Sequence, residues 1–573
     1  MLLQQHLREV LERARGDAGY TLTTPISIRL NSKVGFGDYS SGLALSIDES
    51  NTTSMERATK IAEIVEGYKD PIIGQVKVAA PGFVNFFLDS VQLFKLTKDI
   101  DDMFGTNDLY GGQRIMVEYT DPNPYKEFHI GHFMPNIIGE AIARLHEYGG
   151  ATVERVNYQG DVGLHVAKSV WGLIKKLEGD SQTMEELSKL SLLERVKIMG
   201  EAYVNGSKAY DDPEAKNEID AINIAIYEGN DKNLMALYKE GRSWSLEYFE
   251  TIYKRLGTTF DDYYFESESG KKGLEVVTAH INDGIFEKSE GAVIYRGENR
   301  GLHNRVFINS LGVPTYEAKE LGLAQTKYER WRYDRSFIVT GNEVSEYFKV
   351  LIDAMSRVFP DLATKTTHVG HGMLTLKGAK MSSRTGNILR ATDIIDAAKE
   401  AVVKVIDQSE KTSNEPLSDR EIELVALAAI RYTFLRLSIG KNIVFDFDTS
   451  FSFDGDSGPY LLYTYARAVH IIENAKGITV KDSFEAWSGE EDDLIKTLVQ
   501  FPDVIRDAQE SISLHGVTQY LTTLAQTFNS FYHAKRVIED NEVDGRRLSL
   551  VLTVKKVLSN GMYVLGIEPL DRM

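Results

Sequence analysis

No cysteine occurs among the 573 residues. Disulfides, thiolate metal sites and thiol nucleophiles are therefore excluded. No uninterrupted apolar run approaches the ~18 residues that suggest a membrane span. The opening Met-Leu-Leu-Gln-Gln-His-Leu-Arg lacks a signal-peptide core. The expectation is a cytoplasmic protein with no membrane partner. Cations are also the minority, with 65 Lys and Arg against 84 Asp and Glu and a net charge of -19. That balance argues against broad coating of nucleic acid. It leaves room for a local basic surface, because salt screens distant charge. There is no repeat, low-complexity segment or coiled coil. Hydrophobic residues at 42% and charged residues at 26% give an ordinary soluble balance. The length implies several domains.

The chain is organised around Val117 to Leu145. Arg114 to Tyr119 reads as a short strand. A turn with Pro122, Asn123 and Pro124 follows. A helix then begins near His129, with Ile137, Ile138, Ala141, Ile142 and Leu145 at helical spacing. Strand, tight loop and helix open a nucleotide-binding α/β unit, where loop N–H groups can receive a phosphate. The loop adds Lys126 and two histidines, His129 and His132, spaced to face one pocket and hold phosphate oxygens. A motif as short as His-x-Gly-His also arises by chance, and a histidine pair at a helix start can serve capping or packing.

Residues 1–110 read as a separate α+β domain. A helix from Leu2 to Arg15 leads to a strand at Ile26–Leu30. In Lys33-Val-Gly-Phe-Gly-Asp-Tyr-Ser40 no glycine or lysine follows at a phosphate-loop offset, so it reads as a turn presenting Phe36, Asp38 and Tyr39 at the surface. A helix over 54–68 precedes a hairpin turning at Pro81-Gly82. The α/β unit spans 111–400. Ala151 to Asn157 is its second parallel strand, and Asp161 and His165 follow in a Gly-rich turn at the strand's carboxyl end. Residues 178–263 are long, charged and helical, too long for a βα connection. They read as an insertion whose acidic residues form a solvated face. The sheet resumes near Ala292. Tyr316 and Glu320, four apart on a helix, can face one pocket. Arg335 to Thr340 is a further strand, ending in Gly341-Asn-Glu343.

A second signal lies at Leu374-Thr-Leu-Lys-Gly-Ala-Lys-Met-Ser-Ser-Arg-Thr-Gly-Asn387. Lys380, Ser382, Ser383, Arg384 and Thr385 share a Gly-bounded loop, a composition suited to a triphosphate. Coming after His129-Ile-Gly-His132 in one interrupted α/β unit, it is a strong pointer. Residues 401–455 read as a helical connecting region and 456–573 as a helical bundle with few prolines. Tyr460, Tyr463 and Arg467 fall along one helical face, which an aromatic core stripe would also explain. Arg467, Lys535, Arg536, Arg546 and Arg547 could supply a positive face.

His129-Ile-Gly-His132 with Lys380-Met-Ser-Ser-Arg384 resembles the two signatures of class I aminoacyl-tRNA synthetases. The finer match is to the arginyl-tRNA synthetases. Pro122-Asn123 and Lys126 precede the first signature as in that family, and Ser383 stands where other class I members carry a second lysine. Gly458 to Arg467 resembles the family's Gly-x-Tyr-x-x-Tyr-x-x-Ala-Arg helix. Val557 to Met573 resembles its tail, and Phe36-Gly-Asp-Tyr39 with Pro81 to Phe86 resembles its extra N-terminal domain. The resemblance covers essentially the whole chain. It implies a Rossmann-type parallel-sheet catalytic domain carrying the insertion, an N-terminal α+β tRNA-contacting domain and an all-helical anticodon-binding bundle.

The resemblance also implies roles. ATP and phosphate-bound Mg²⁺ would be used, with tRNA(Arg) and L-arginine as partners and a monomer as the working form. No protein metal site is expected. Lys126, His129, His132 and Lys380 would be catalytic, with Lys126 replacing the lysine absent at Ser383. Gly131, Met381, Ser382 and Arg384 would join His129, His132 and Lys380 around ATP. Glu118, Asn123, His129, Tyr316, Glu320 and Glu343 would hold arginine. The family usually has aspartate at the position of Glu320 and a glutamine at or near Glu343. Phe36, Tyr39, Asn85, Tyr460, Tyr463 and Arg467 would contact tRNA. Activation would need bound tRNA. The residues leave open a class I synthetase for another amino acid, a simpler adenylyltransferase, and a tRNA-binding paralogue without catalysis.

Overall fold

Strand β1 (Arg114–Glu118) is the middle strand of a five-stranded sheet, and its Ile115, Met116 and Val117 are fully buried. Such a run suits a strand covered on both faces. On one side lie β2 (Thr152–Gln159) and β3 (Asp262–Phe265); on the other lie β4 (Arg335–Gly341) and β5 (Thr366–His371). Every pairing is parallel and the order is β5-β4-β1-β2-β3. Strand order therefore reverses between β1 and β4. A crevice opens at the carboxyl ends of strands at such a reversal. In this computed structural model the described residues are 2–22, 24–31, 35–49, 51–377, 390–408, 416–446, 450–452, 455–481, 487 and 489–573.

The chain divides into two compact units. One comprises Tyr110–Thr412 with Ser418–Phe451, and the other Met1–Leu109 with Ser413–Leu417 and Ser452–Met573. In the first, α1 (Ile130–Glu147) follows β1 and α2 (Leu164–Asp180) follows β2. The insertion forms α3 (Leu192–Ala209), α4 (Pro213–Glu228) and α5 (Lys232–Leu256), after a short helix at Met184–Ser188. Each long helix has its own start signal. Ser191 and Glu194 form a capping box, Asp212 caps a helix with Pro213 at its first position, and Asp231 caps α5. Helix α5 buries Tyr238, Trp244, Tyr248, Phe249, Ile252, Tyr253 and Leu256. One face of the insertion is thus core. Helices α6 (Glu266–Ala279), α7 (Tyr316–Arg330) and α8 (Ser345–Val358) complete the surround. A three-stranded antiparallel sheet lies between α6 and α7 in sequence.

The second unit joins the N-terminal α+β part to the C-terminal helices. Its four-stranded antiparallel sheet has the order Arg29–Leu30, Tyr39–Ser41, Phe83–Leu88, Ile73–Ala79. Helices at Gly458–Asn474, Gly489–Val499, Phe501–Ser511, Leu514–Ala534 and Gly545–Val564 follow, with a small three-stranded sheet of Thr479–Lys481, Glu542–Asp544 and Ile538–Glu539 among them. The surface reading of Tyr39 is corrected here. Tyr39 has no exposed area and its hydroxyl donates to the buried Asp503 carboxylate at 2.7 Å. Along Tyr39–Ser41 burial alternates, so Tyr39 and Ser41 point inward. The Asp38 carboxylate accepts the Leu88 N–H at 2.7 Å and lies 3.5 Å from Lys496. Phe36 is half exposed, as expected of a turn.

Candidate functional site

Beyond β1 the chain makes a constrained turn. Thr120, Asp121 and Tyr125 hold positive φ (85°, 44° and 67°) without being glycine, a backbone cost that tends to mark functional turns. Helix α5 holds the turn in place. Ser245 accepts the Tyr125 N–H at 2.9 Å, the Tyr125 hydroxyl donates to the Tyr238 carbonyl, and Gly241 packs on the Tyr125 ring. A Cβ at Gly241 would come 2.6 Å from that ring. We expect Gly241→Ala to destabilise the fold by about 1–3 kcal/mol, the usual cost of overpacking, and to lower activity by displacing the turn. Urea denaturation beside turnover tests this, and unchanged values for both would contradict it.

His129 is the N-cap of α1 and His132 occupies its third position. The His129 Nδ1 accepts the Gly131 N–H at 3.1 Å, and the His132 Nδ1 accepts the His129 N–H at 3.3 Å. The rings stack with centroids 3.8 Å apart. With Nδ1 used as an acceptor, the neutral ring carries its proton on Nε2, and each Nε2–H is left to donate. Burial, with help from Lys126, lowers the His129 pKa to about 4; burial, His129 and Lys126 push His132 well below its usual value. Both rings are neutral donors at pH 7. Capping and ligand binding are thus compatible roles for one histidine pair.

Lys126 is partly buried, with Nζ 5.4 Å from the Tyr203 ring of α3. Among the described residues no carboxylate lies within ion-pair distance of it. Burial and Lys168 lower its pKa. A cation so placed favours an anion. Lys380, Met381, Ser382, Ser383 and Arg384 lie outside the described residues. The chain that follows them returns to the first motif. Arg390 bridges to His129, and the Ala391 N–H donates to the Phe128 carbonyl at 3.0 Å.

A cluster of acidic side chains adjoins the carboxyl end of β1. Glu118 is 1% exposed and accepts from the equally buried Lys327 of α7 at 2.6 Å. Glu266 accepts from Lys319 at 3.2 Å, and Lys319 also reaches the Tyr227 hydroxyl of α4 at 3.1 Å. Glu320 has no cation within ion-pair distance among the described residues. Burial, reinforced by Glu118, pushes its pKa up to about 8. Burial and Glu118 also raise Asp121. After the two lysines are paired, the carboxyl groups of Glu320 and Asp121 are left over, and a cationic ligand would favour their ionised forms. Tyr316 is 65% exposed on the first turn of α7, its ring 5.2 Å from the Lys319 Nζ. Asn123 presses its Oδ1 against Gly160, where a Cβ would stand 2.3 Å away. Gly131 and Glu343 are exposed, and Glu343 follows β4 at the strand-order reversal.

Sequence reading missed Lys327, Lys319, Glu266 and Tyr227. Asp161 is fully buried. It accepts from Tyr238, Arg242 and both the N–H and hydroxyl of Ser267, at 2.6–2.9 Å. It therefore fastens the insertion to the sheet. His165 binds the Gly160 carbonyl at 2.9 Å. In the other unit Asn85 is 5% exposed inside its strand, so it and Tyr39 are interior groups. Tyr460, Tyr463 and Arg467 are brought together. The Arg467 guanidinium lies 4.8 Å from the Tyr463 ring and 5.4 Å from the Tyr532 ring, and Asn529 donates to the Tyr460 hydroxyl at 2.8 Å.

Residues 101–447 match the catalytic domain of tRNA synthetases class I (R). Residues 461–573 match the DALR anticodon binding domain, and 1–88 the arginyl tRNA synthetase N terminal domain. An arginine–tRNA ligase of Treponema denticola is 29% identical over 530 residues, covering 89% of this chain and 88% of that one. One from Bacteroides fragilis is 28% identical over 554 residues, covering 90% of each. The solved arginyl-tRNA synthetase of Thermus thermophilus superposes with a TM-score of 0.81 at 22% identity, covering both chains fully. At that identity the superposition speaks for the fold.

Proposed function

The chain belongs to the class I arginyl-tRNA synthetases, and on that premise we propose how its residues divide the labour of joining arginine to tRNA. The activity is the ATP-dependent attachment of L-arginine to its cognate tRNA. Arginine carboxylate attacks the α-phosphorus of ATP, giving arginyl-adenylate and pyrophosphate. The terminal ribose hydroxyl of the tRNA then attacks the mixed anhydride and releases AMP. What carries the reading of residues is one juxtaposition: a lysine with no carboxylate partner among the described residues and two neutral imidazole donors at the turn after β1, with an excess of carboxyl groups at the end of the same strand.

In this reading the Nε2–H groups of His129 and His132 donate to ATP phosphate oxygens as charge builds on them, and Lys126 neutralises the α-phosphate. Gly131 gives adenine access to the backbone. Lys380, Met381, Ser382 and Arg384 close over the departing pyrophosphate, a role supported by the pairing of Arg390, further along the chain, with His129. Mg²⁺ bound with ATP would add charge neutralisation at the phosphates. Glu320 and Tyr316 receive the guanidinium, Glu118 acts with Lys327 beside them, and Asn123, His129 and Glu343 hold the amino-acid end. Phe36, Tyr460, Tyr463 and Arg467 are kept as tRNA contacts. Tyr39 and Asn85 are not, since both are interior. We retain 1–110 as tRNA-contacting, 111–400 as catalytic, 401–455 as connecting and 456–573 as anticodon-binding. We also retain a cytoplasmic monomer, which light scattering would test for mass.

Arginine exchange of label between pyrophosphate and ATP, with and without tRNA, tests the activation step. Exchange only when both arginine and tRNA are present is expected, and full exchange without tRNA contradicts the tRNA requirement.

A pH dependence follows from Glu320. The guanidinium binds the carboxylate form, whereas the empty pocket holds a proton up to about pH 8. Arginine binding at pH 7 should therefore expel about one proton, and affinity should fall toward tenfold per unit as pH drops below 8. Calorimetry in two buffers of different ionisation heat reads the proton directly. Identical heats in both buffers would contradict the assignment.

A further inference from the structure

Two tyrosines beside the acidic cluster carry hydroxyls that the described residues leave unused. Tyr158 stands near the carboxyl end of β2 and Tyr347 in the first turn of α8. Both hydroxyl oxygens are buried, and neither has a hydrogen-bond partner among the described residues. Both rings pack on the core cluster that includes Ala318, Leu321 and Phe348. Phenylalanine would fill such places without stranding a buried donor and acceptor. Strand alternation puts Tyr158 on the opposite face from Asn157, whose amide is engaged with the Tyr119 carbonyl and the Tyr253 hydroxyl. The charged groups acting on the Tyr158 hydroxyl are Glu266, Glu320 and Glu118. Those acting on Tyr347 are Glu320, Glu317, Glu266 and Arg305. Glu320 and Glu266 are common to both.

We propose that Tyr158 and Tyr347 are specificity-determining residues of the arginine pocket, their phenol oxygens accepting guanidinium N–H groups beside the Glu320 carboxylate. The proposal rests on the arginine reading above. A guanidinium has five N–H donors in a plane. Glu320 can take two in a fork. Glu266 and Glu118 already receive lysines, so further neutral acceptors are needed around the plane. A phenol oxygen accepts without adding charge to a pocket already rich in it. A lysine ammonium concentrates its donors at one point and cannot serve oxygens on separate walls, so it leaves them unpaired.

Tyr158→Phe, Tyr347→Phe and the double variant test this in tRNA charging, with arginine binding measured in parallel by calorimetry. Each single change should raise the KM and Kd for arginine ~10-fold, leaving the KM for ATP and kcat within about twofold. The preference for arginine over lysine should narrow. Arginine binding within twofold of wild type in the double variant would overturn the proposal. So would an equal rise in the KM for ATP, which would mark general damage. If wild type binds arginine but does not charge tRNA, the synthetase reading fails, and the pocket assignment stands or falls with the loss of arginine binding in the double variant. If wild type charges and the double variant binds as tightly, the pocket assignment alone fails.

Discussion

Lys126→Ala should lower kcat for adenylate formation by about 10²–10³-fold, on the scale of losing one preorganised donor at a charged transition state. The KM for arginine should move little. Lys126 has no carboxylate partner among the described residues, and its positive charge is disfavoured by burial and by Lys168. Such a lysine gains most when negative charge develops next to it, so its loss falls on the chemical step. Its precision comes from the turn that α5 holds, not from its own flexible stem. Ser383→Lys is the complement. In the wild type it should help little, because a cation already fills the role. In the Lys126→Ala background it should recover part of the rate. Pre-steady-state adenylate formation through the double-mutant cycle reads the coupling. Equal effects of Ser383→Lys with and without Lys126 would show that the two positions share no phosphate.

Glu320→Gln should raise the KM for arginine by about 10²-fold, since truncating one partner of a buried charged pair costs about 2–5 kcal/mol and each 1.4 kcal/mol is tenfold. Glu118 and Glu266 are committed to Lys327 and Lys319, so neither can take over. The KM for ATP should stay near its wild-type value. The variant should also lose the proton expelled on binding arginine, because the titrating group is gone. A KM for arginine within threefold of wild type would place the guanidinium elsewhere. Glu320→Asp keeps the charge but withdraws it by one methylene, and should fall between the two.

The β1–turn–α1 segment was legible because each part carries a local signal: an apolar run, a Pro-Asn-Pro turn and helical periodicity. The strand ends within one residue of its expected limit, and His129 falls at the cap. The acidic cluster was half legible. Tyr316 and Glu320 stood out by spacing, whereas Lys327 is paired with a carboxylate 209 positions away. A signal was present: Lys327 lies seven residues after Glu320, two helical turns along one face. A lysine on a face shared with Leu323 and Ala324 asks for a buried partner. Glu266 carried no such mark, opening a helix directly after β3. Tyr39 was misread because a Gly-rich turn was taken as surface, while its fate was set by Asp503, 464 residues on. Likewise α5 looked like charged insertion, and only its packing on Tyr125 shows that it supports the site.

Charging of purified tRNA with each of arginine, lysine and citrulline tests the central claim most directly. Arginine should be esterified to the tRNA in an ATP-dependent reaction, with lysine more than tenfold less efficient and citrulline not charged. Lysine within tenfold of arginine, or no arginyl-tRNA at all, would contradict the account.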